Sequence, residues 1–158
     1  NFDSEEKNSR KHLLPILYSL VVILIAFATP KQGPDALLKA GFDPQIMPTK
    51  TLEYIAEKKL PASSGFNLDN WGGLISYQLE MPVFIDDRAD FYGEKFYNDY
   101  GTVCEAKVGW SEILDQHKIN WVLFPKDSIL IKKLSERSDW SKACEDSSST
   151  LMTRVSQI

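Results

Sequence analysis

The chain has 158 residues, with 18 Lys and Arg against 22 Asp and Glu, for a net charge of −4. That length allows one domain with a proper core. The charges are evenly spread with no basic stripe, which argues against a nucleic-acid partner.

The first residue is Asn1 rather than Met, as expected of a piece of something longer. Residues 1–11 carry Lys7, Arg10 and Lys11 and read as a cytoplasmic flank or loop. Residues 12–30 hold no formal charge at neutral pH, and their middle is apolar on every face. An amphipathic core helix would show a polar face. A helix of that length spans about 28 Å, near the hydrocarbon thickness of a bilayer. A transmembrane helix is therefore expected over 12–30, with Pro15 tolerated in its first turn. A buried core helix and a signal peptide are the alternatives. The basic residues before this segment outnumber Lys31, which follows it, so the larger part of the chain is expected outside the cell.

Residues 31–48 are rich in Pro and Gly and read as a connector, with a short helix over 35–40. Residues 49–158 are expected to form a soluble domain. In it, 49–60 reads as a helix with Leu52, Ile55, Ala56 and Leu60 on one face. Residues 64–68 form a short strand. A helix over 71–79 is ended by Pro82, and 83–86 is a second strand. Helices follow over 91–100, stopped at Gly101, and over 111–117. Residues 121–124 are a third strand, ended by Pro125. Residues 128–137 form a helix with Ile131 and Leu134 inward and Asp127 or Ser128 as its cap. Residues 142–145 and 150–155 flank Asp146-Ser147-Ser148-Ser149 as a β-hairpin. The alternation predicts a three-layer α/β domain. Its sheet is mainly parallel and covered on both faces, with the C-terminal antiparallel hairpin at an edge.

Polar groups at the carboxyl ends of parallel strands converge on one sheet edge. Asn67, Asp69 and Asn70 follow the first strand. Asp86, Asp87, Arg88 and Asp90 follow the second, and Lys126 and Asp127 the third. The candidate binding residues are Asn67, Asp69, Asn70, Asp86, Arg88, Asp90 and Tyr92, facing a sugar, a lipid phosphate or a membrane domain. The forked guanidinium of Arg88 suits a carboxylate or phosphate. The competing reading makes Asp86 and Arg88 a tie between loops, and Asp69 or Asn70 the cap of the helix at Trp71. Asp86 and Asp87, adjacent on a strand, point to opposite faces and form no acid–base dyad. Asp86 with Asp69 or Asp90 is the remaining pairing.

Gly72-Gly73 lacks the flanking glycines and Lys of a phosphate loop, and Ser63-Ser64-Gly65 has no triad histidine. His12 and His117 make no metal set, and His117 reads as a surface cation near a helix end. No cofactor is expected. Cys104 and Cys144 are either a disulfide in an oxidising compartment or two unrelated buried thiols. Phe91, Tyr92, Phe96 and Tyr97, at helical spacing, read as a packed face rather than a ligand box.

These pieces form a sequence of motifs: Asn67-x-x-x-Trp71-Gly72-Gly73, then Val83-Phe84-Ile85-Asp86-x-Arg88-x-x-x-Tyr92, then Trp110-x-x-x-Leu114. The strand at 120–125, a Leu-containing helix, Asp139-Trp140 and Glu145-Asp146…Arg154 complete it. The pattern resembles the C-terminal extracytoplasmic domain of bacterial polytopic membrane proteins related to lipid-phosphosugar-dependent glycosyltransferases, of the dolichyl-phosphate-mannose-protein mannosyltransferase type. It covers residues 50–154 and the transmembrane helix before them. Asp87 departs from the pattern, which more often has a small residue such as Gly there. The resemblance puts the family's catalytic acid in an early external loop of a membrane part absent from this chain, so no catalytic residue is carried over. It implies an accessory domain that positions an acceptor or lipid-linked sugar and does not catalyse alone. The implied partners are the bilayer, an upstream transmembrane domain of the same protein and a lipid-linked sugar. The implied place is the outer side of a bacterial cytoplasmic membrane. A membrane-anchored protein-interaction module is the alternative function.

Overall fold

The computed structural model describes residues 13–28 and 41–155, apart from the side chain of Ala89. The chain divides into two units, Asn1–Gly41 and Phe42–Ile158.

In the first unit the described residues form one helix, α1 (Leu13–Ala28). None of its 16 residues is buried. The Ser19 hydroxyl donates to the Pro15 carbonyl at 2.8 Å, so the one serine of the helix is satisfied internally. A helix of this length measures about 24 Å. Among the described residues no helix is long and apolar enough to cross a membrane. The transmembrane helix expected over 12–30 is thus found only as this shorter apolar helix. The ends of the expected span, and the short helix expected over 35–40, lie outside the described residues.

The second unit runs α2 (Thr49–Lys58), β1 (Gly65–Asn67), α3 (Asp69–Leu79), α4 (Glu94–Cys104), α5 (Trp110–Gln116), β2 (Trp121–Pro125), α6 (Ile129–Ser135), β3 (Trp140–Glu145) and β4 (Ser149–Arg154). The four strands make one sheet in the order β1-β2-β4-β3. Strand β2 lies inside it, and Trp121, Val122, Leu123 and Phe124 are all buried because both faces are covered. The alternation of strand side chains sorts the core into two layers. Phe66, Val122, Phe124 and Met152 pack with Tyr100, Val103, Leu114, Leu130 and Leu134 from α4, α5 and α6. Trp121, Leu123 and Leu151 pack with Leu52, Ile55, Trp71, Leu74 and Ile75 from α2 and α3. The three-layer arrangement is the one expected.

The sheet itself differs from expectation. Only β1 and β2 are parallel; β2 with β4 and β4 with β3 are antiparallel. The expected strand at 83–86 is not in the sheet, which removes the second parallel pair. The reason is Asn67, 1% exposed at the end of β1. Its side-chain amide accepts from Phe84 N at 3.1 Å and donates to Ile85 O at 2.8 Å. One side chain thereby satisfies the backbone groups that a neighbouring strand would otherwise have paired.

The helices shift at their ends. Helix α4 runs straight through Gly101, the expected stop, to Cys104. Helix α6 is capped as predicted by Ser128, whose Oγ accepts from Ile131 N at 3.3 Å. Helix α3 begins at Asp69 with Leu68 at its cap position, so neither Asp69 nor Asn70 caps it. His117 is half-buried, edge-on to the rings of Phe84 and Phe96 at 5.2 and 6.0 Å, rather than a free surface cation. Cys104 packs on the α4–α6 side of the sheet and Cys144 on the α2–α3 side. Both thiols are free, and the sheet between them rules out the disulfide alternative. Burial pushes the Cys104 thiol up to about 12, which leaves it unreactive at neutral pH.

Candidate functional site

The Trp71-Gly72-Gly73 and Asp86-x-Arg88 motifs meet in space. Helix α3 lies so close to the 85–86 backbone that a Cβ on Gly72 would sit 2.2 Å from Ile85 O and 2.7 Å from Asp86 Cα. A Cβ on Gly73 would meet nothing within 4 Å. The first glycine of the pair therefore permits a close approach, and the second does not.

Asp86 is buried and Arg88 is exposed. Arg88 Nη2 donates to Asp86 Oδ2 at 2.6 Å, and Nε reaches Oδ2 at 3.0 Å and Oδ1 at 3.2 Å. The Arg88 backbone N–H adds a bond to Oδ1 at 3.1 Å. The Asp86 backbone N–H donates to the Tyr92 hydroxyl at 3.1 Å. The Arg88 hydrogen bonds hold the Asp86 carboxyl below its ordinary value, against the opposing effect of burial. Burial raises the Tyr92 hydroxyl. Tyr92 stacks on Phe96 at 5.3 Å, and Phe96 on Phe84 at 5.0 Å. Phe91 stands 82% exposed with the Arg88 guanidinium 5.5 Å from its ring centre. The aromatic run is thus half packed and half outward. The Asp86 carboxylate is engaged by four hydrogen bonds from Arg88, and Asp87 and Asp90 lie exposed beside it. This cluster is a built turn.

An open cleft lies elsewhere on the same sheet edge. At the carboxyl ends of β1 and β2 a cleft of about 520 Å³ is lined by Leu68, Asn70, Trp71, Lys126, Asp127 and Ser148, among others. It is closed on one side by Gln45 to Met47, ahead of α2, and on another by the β3–β4 turn. Of the seven candidate residues, Asn70 alone lines it; Lys126 and Asp127, also expected at this edge, line it too. Asn67 and Asp86 have turned inward as structure. Asp69 uses Oδ1 to accept from Asn70 N at 2.8 Å, while its own N–H donates to the Tyr100 hydroxyl at 2.9 Å. The sequence places Ser147 and Ser148 only in a turn and Gln45 only in a connector. Their place in the cleft follows from the hairpin folding back against α2.

Asp146 holds that wall. Burial would raise its pKa, but bonds from the Ser149 and Ser148 N–H groups at 2.8 and 3.0 Å win, and the carboxyl lies below its ordinary value. Its Oδ2 accepts from the Thr51 N–H and hydroxyl, both at 3.3 Å, in the first turn of α2. Pro48, at the cap position of α2, has no side-chain hydrogen bond to the helix, so Asp146 serves as its cap from 95 residues away. Among the described residues no group of three or more His, Cys, Asp or Glu is placed to hold a metal ion.

The fold is similar to that of the C-terminal globular domain of an oligosaccharyltransferase from Archaeoglobus fulgidus. The TM-score is 0.53 at 8% sequence identity, over 68% of this chain and 95% of that one. No family model matches the chain, and no curated protein matches it by sequence. The likeness is one of fold.

Proposed function

We propose that this chain is an accessory extracytoplasmic domain of a membrane glycosyltransferase-like protein. It helps position an acceptor or a lipid-linked sugar and does not catalyse alone. The observation that supports this reading is the likeness of the fold, over 68% of this chain, to an oligosaccharyltransferase C-terminal domain of which it covers 95%. The cleft at the carboxyl edge is the positioning surface, with Asn70, Lys126 and Asp127 facing hydroxyl and amide groups of the bound partner. Helix α1, apolar and exposed along its length, sits in the bilayer and holds the domain at the membrane surface.

The test is a transfer assay with the parent membrane protein, a lipid-phosphosugar donor and its acceptor. Removing residues 42–155 abolishes transfer, and Asn70→Ala with Asp127→Ala raises the acceptor KM with a smaller change in kcat. The isolated domain transfers nothing. Transfer or hydrolysis by the domain alone would overturn the reading, as would full activity without it.

A further inference from the structure

We infer that the carboxyl-edge cleft binds a neutral sugar residue, with the Trp71 indole N–H as a fixed donor to it. Trp71 sits in the α2–α3 layer of the core and is only 4% exposed, yet it lines the cleft. Its indole N–H has no hydrogen-bond partner among the described residues. A buried indole N–H ordinarily finds one; that of Trp121 donates to Pro61 O at 2.9 Å. Among the described residues no side-chain nitrogen or oxygen is both shut off from solvent and unpartnered. The Trp71 N–H therefore keeps a path to solvent, and the cleft is a concavity that the ring lines. Packing holds this donor in place, and nothing in the described chain receives it.

The other groups of the cleft point to the class of ligand. The side-chain amides of Asn70 and Gln45 and the carboxylate of Asp127 line it, and none of the three has a hydrogen bond or ion pair among the described residues. Indole and amide N–H groups donate, while amide and carboxylate oxygens accept. Neighbouring sugar hydroxyls, each both donor and acceptor, match that set. Met47, Leu68 and Pro125 add apolar wall of the kind that suits the C–H face of a sugar ring. Charge argues against a phosphate. Asp127 repels an anion, and the one cation of the cleft, Lys126, is coupled to Glu145 on the hairpin. The assignment to a sugar rests on the proposed positioning role of this cleft; the free donor at Trp71 does not.

The experiment follows the four tryptophan indole N–H resonances of the whole chain in a detergent without a sugar headgroup. Methyl glycosides of glucose, mannose, galactose and N-acetylglucosamine are the probes, with inorganic phosphate and a capped neutral tripeptide as rivals. At least one glycoside should shift the Trp71 indole saturably at millimolar concentration and leave that of Trp121 in place. Trp71→Phe assigns the resonance and keeps an apolar ring. It should weaken glycoside binding, read from the backbone amides of residues 126 and 127, about tenfold, the loss of one hydrogen bond. Asn70→Ala, on the exposed side of α3, should weaken it by a similar factor, and Lys95→Ala on α4 should leave it unchanged. Thermal melts confirm that each variant is folded. If Trp71→Phe does not fold, the indole shift and Asn70→Ala decide the matter. Silence or unsaturable shifts with every glycoside overturn the proposal, as do shifts produced by phosphate or the tripeptide instead, or glycoside binding that survives both variants. Transfer activity enters none of these readings, so the cleft can fail to bind sugar while the accessory-domain reading stands.

Discussion

At the scale of single residues, two adjacent glycines make opposite predictions. Gly72→Ala drives a methyl group into the backbone of residues 85 and 86 and should destabilise the domain by about 3 kcal/mol. Gly73→Ala meets open space in mid-helix and should stabilise it by roughly 0.5–1 kcal/mol. Urea melts of both variants check the pair, and equal effects would refute the close approach. Asp86 carries a pH signature. Its pKa is lowered on folding, so its contribution is fully present above the ordinary value of 3.8 and is lost as pH falls through the lower folded value. Asp86→Asn should therefore be less stable than the parent at neutral pH, with the gap closing in strong acid. A gap that is constant with pH would show that the pairing with Arg88 contributes nothing. The sequence exposed Asp86 and Arg88 as a polar pair but left ligand and loop roles open. The structure adds that four hydrogen bonds from Arg88 occupy the carboxylate, a count that spacing alone does not carry.

At the scale of elements, Asn67 and Asp146 do the joining. Asn67→Ala leaves Phe84 N and Ile85 O without partners in a buried setting and should cost about 2–3 kcal/mol. Asp146→Ala removes the side-chain cap of α2 and its tie to the hairpin, at about 2 kcal/mol. Hydrogen exchange should then quicken in the first turn of α2 before anywhere else in the domain. Unchanged protection there would show that α2 holds its own end. Most elements were legible because their apolar periods are strong: Leu52 and Ile55 on α2, and the four-residue buried run of β2. The segment 83–86 reads as a strand because Val-Phe-Ile followed by Asp is what a strand end looks like locally. Its pairing is taken by a side chain 16 residues upstream of Val83, and propensity cannot see that. The order of the hairpin strands was equally invisible, since either strand of the hairpin can pair with β2 until the register is known.

At the scale of the molecule, the two units should behave differently in water. A chain of residues 42–158 should be folded and monodisperse without detergent, whereas the whole chain should float with liposomes. Helix α1 supplies the difference through its unburied apolar surface. If the whole chain stayed with the aqueous fraction, the lipid role of α1 would be withdrawn, with the fold of the second unit untouched. Several of the ordered motif residues, Gly72 and Arg154 among them, mark places where distant elements touch. Arg154 on β4 bonds Asp115 at 2.6 Å, Asp139 at 3.4 Å and Ile119 O at 3.2 Å, joining α5 and the segment after it to the end of β4. The open cleft was legible only in part, because three separate loops build it.

The order of the strands also sets a sequence of events in time. Strands β3 and β4 meet across a short turn, with Glu145 opposite Thr150, and β4 then reaches β2. Strand β1 must find β2 with Gly65 opposite Trp121, 56 residues later (121 − 65). Closing so long a loop before any contact rewards it makes β1 the late arrival on the folding path. Helices α2 and α3, which flank β1, should lock with it. Destabilising substitutions in β1, such as Phe66→Ala, should therefore accelerate unfolding and leave the folding rate nearly untouched, whereas Leu151→Ala in β4 should slow folding. In a ribosome-tethered chain, the half made first would then wait, unpaired, for the half made last.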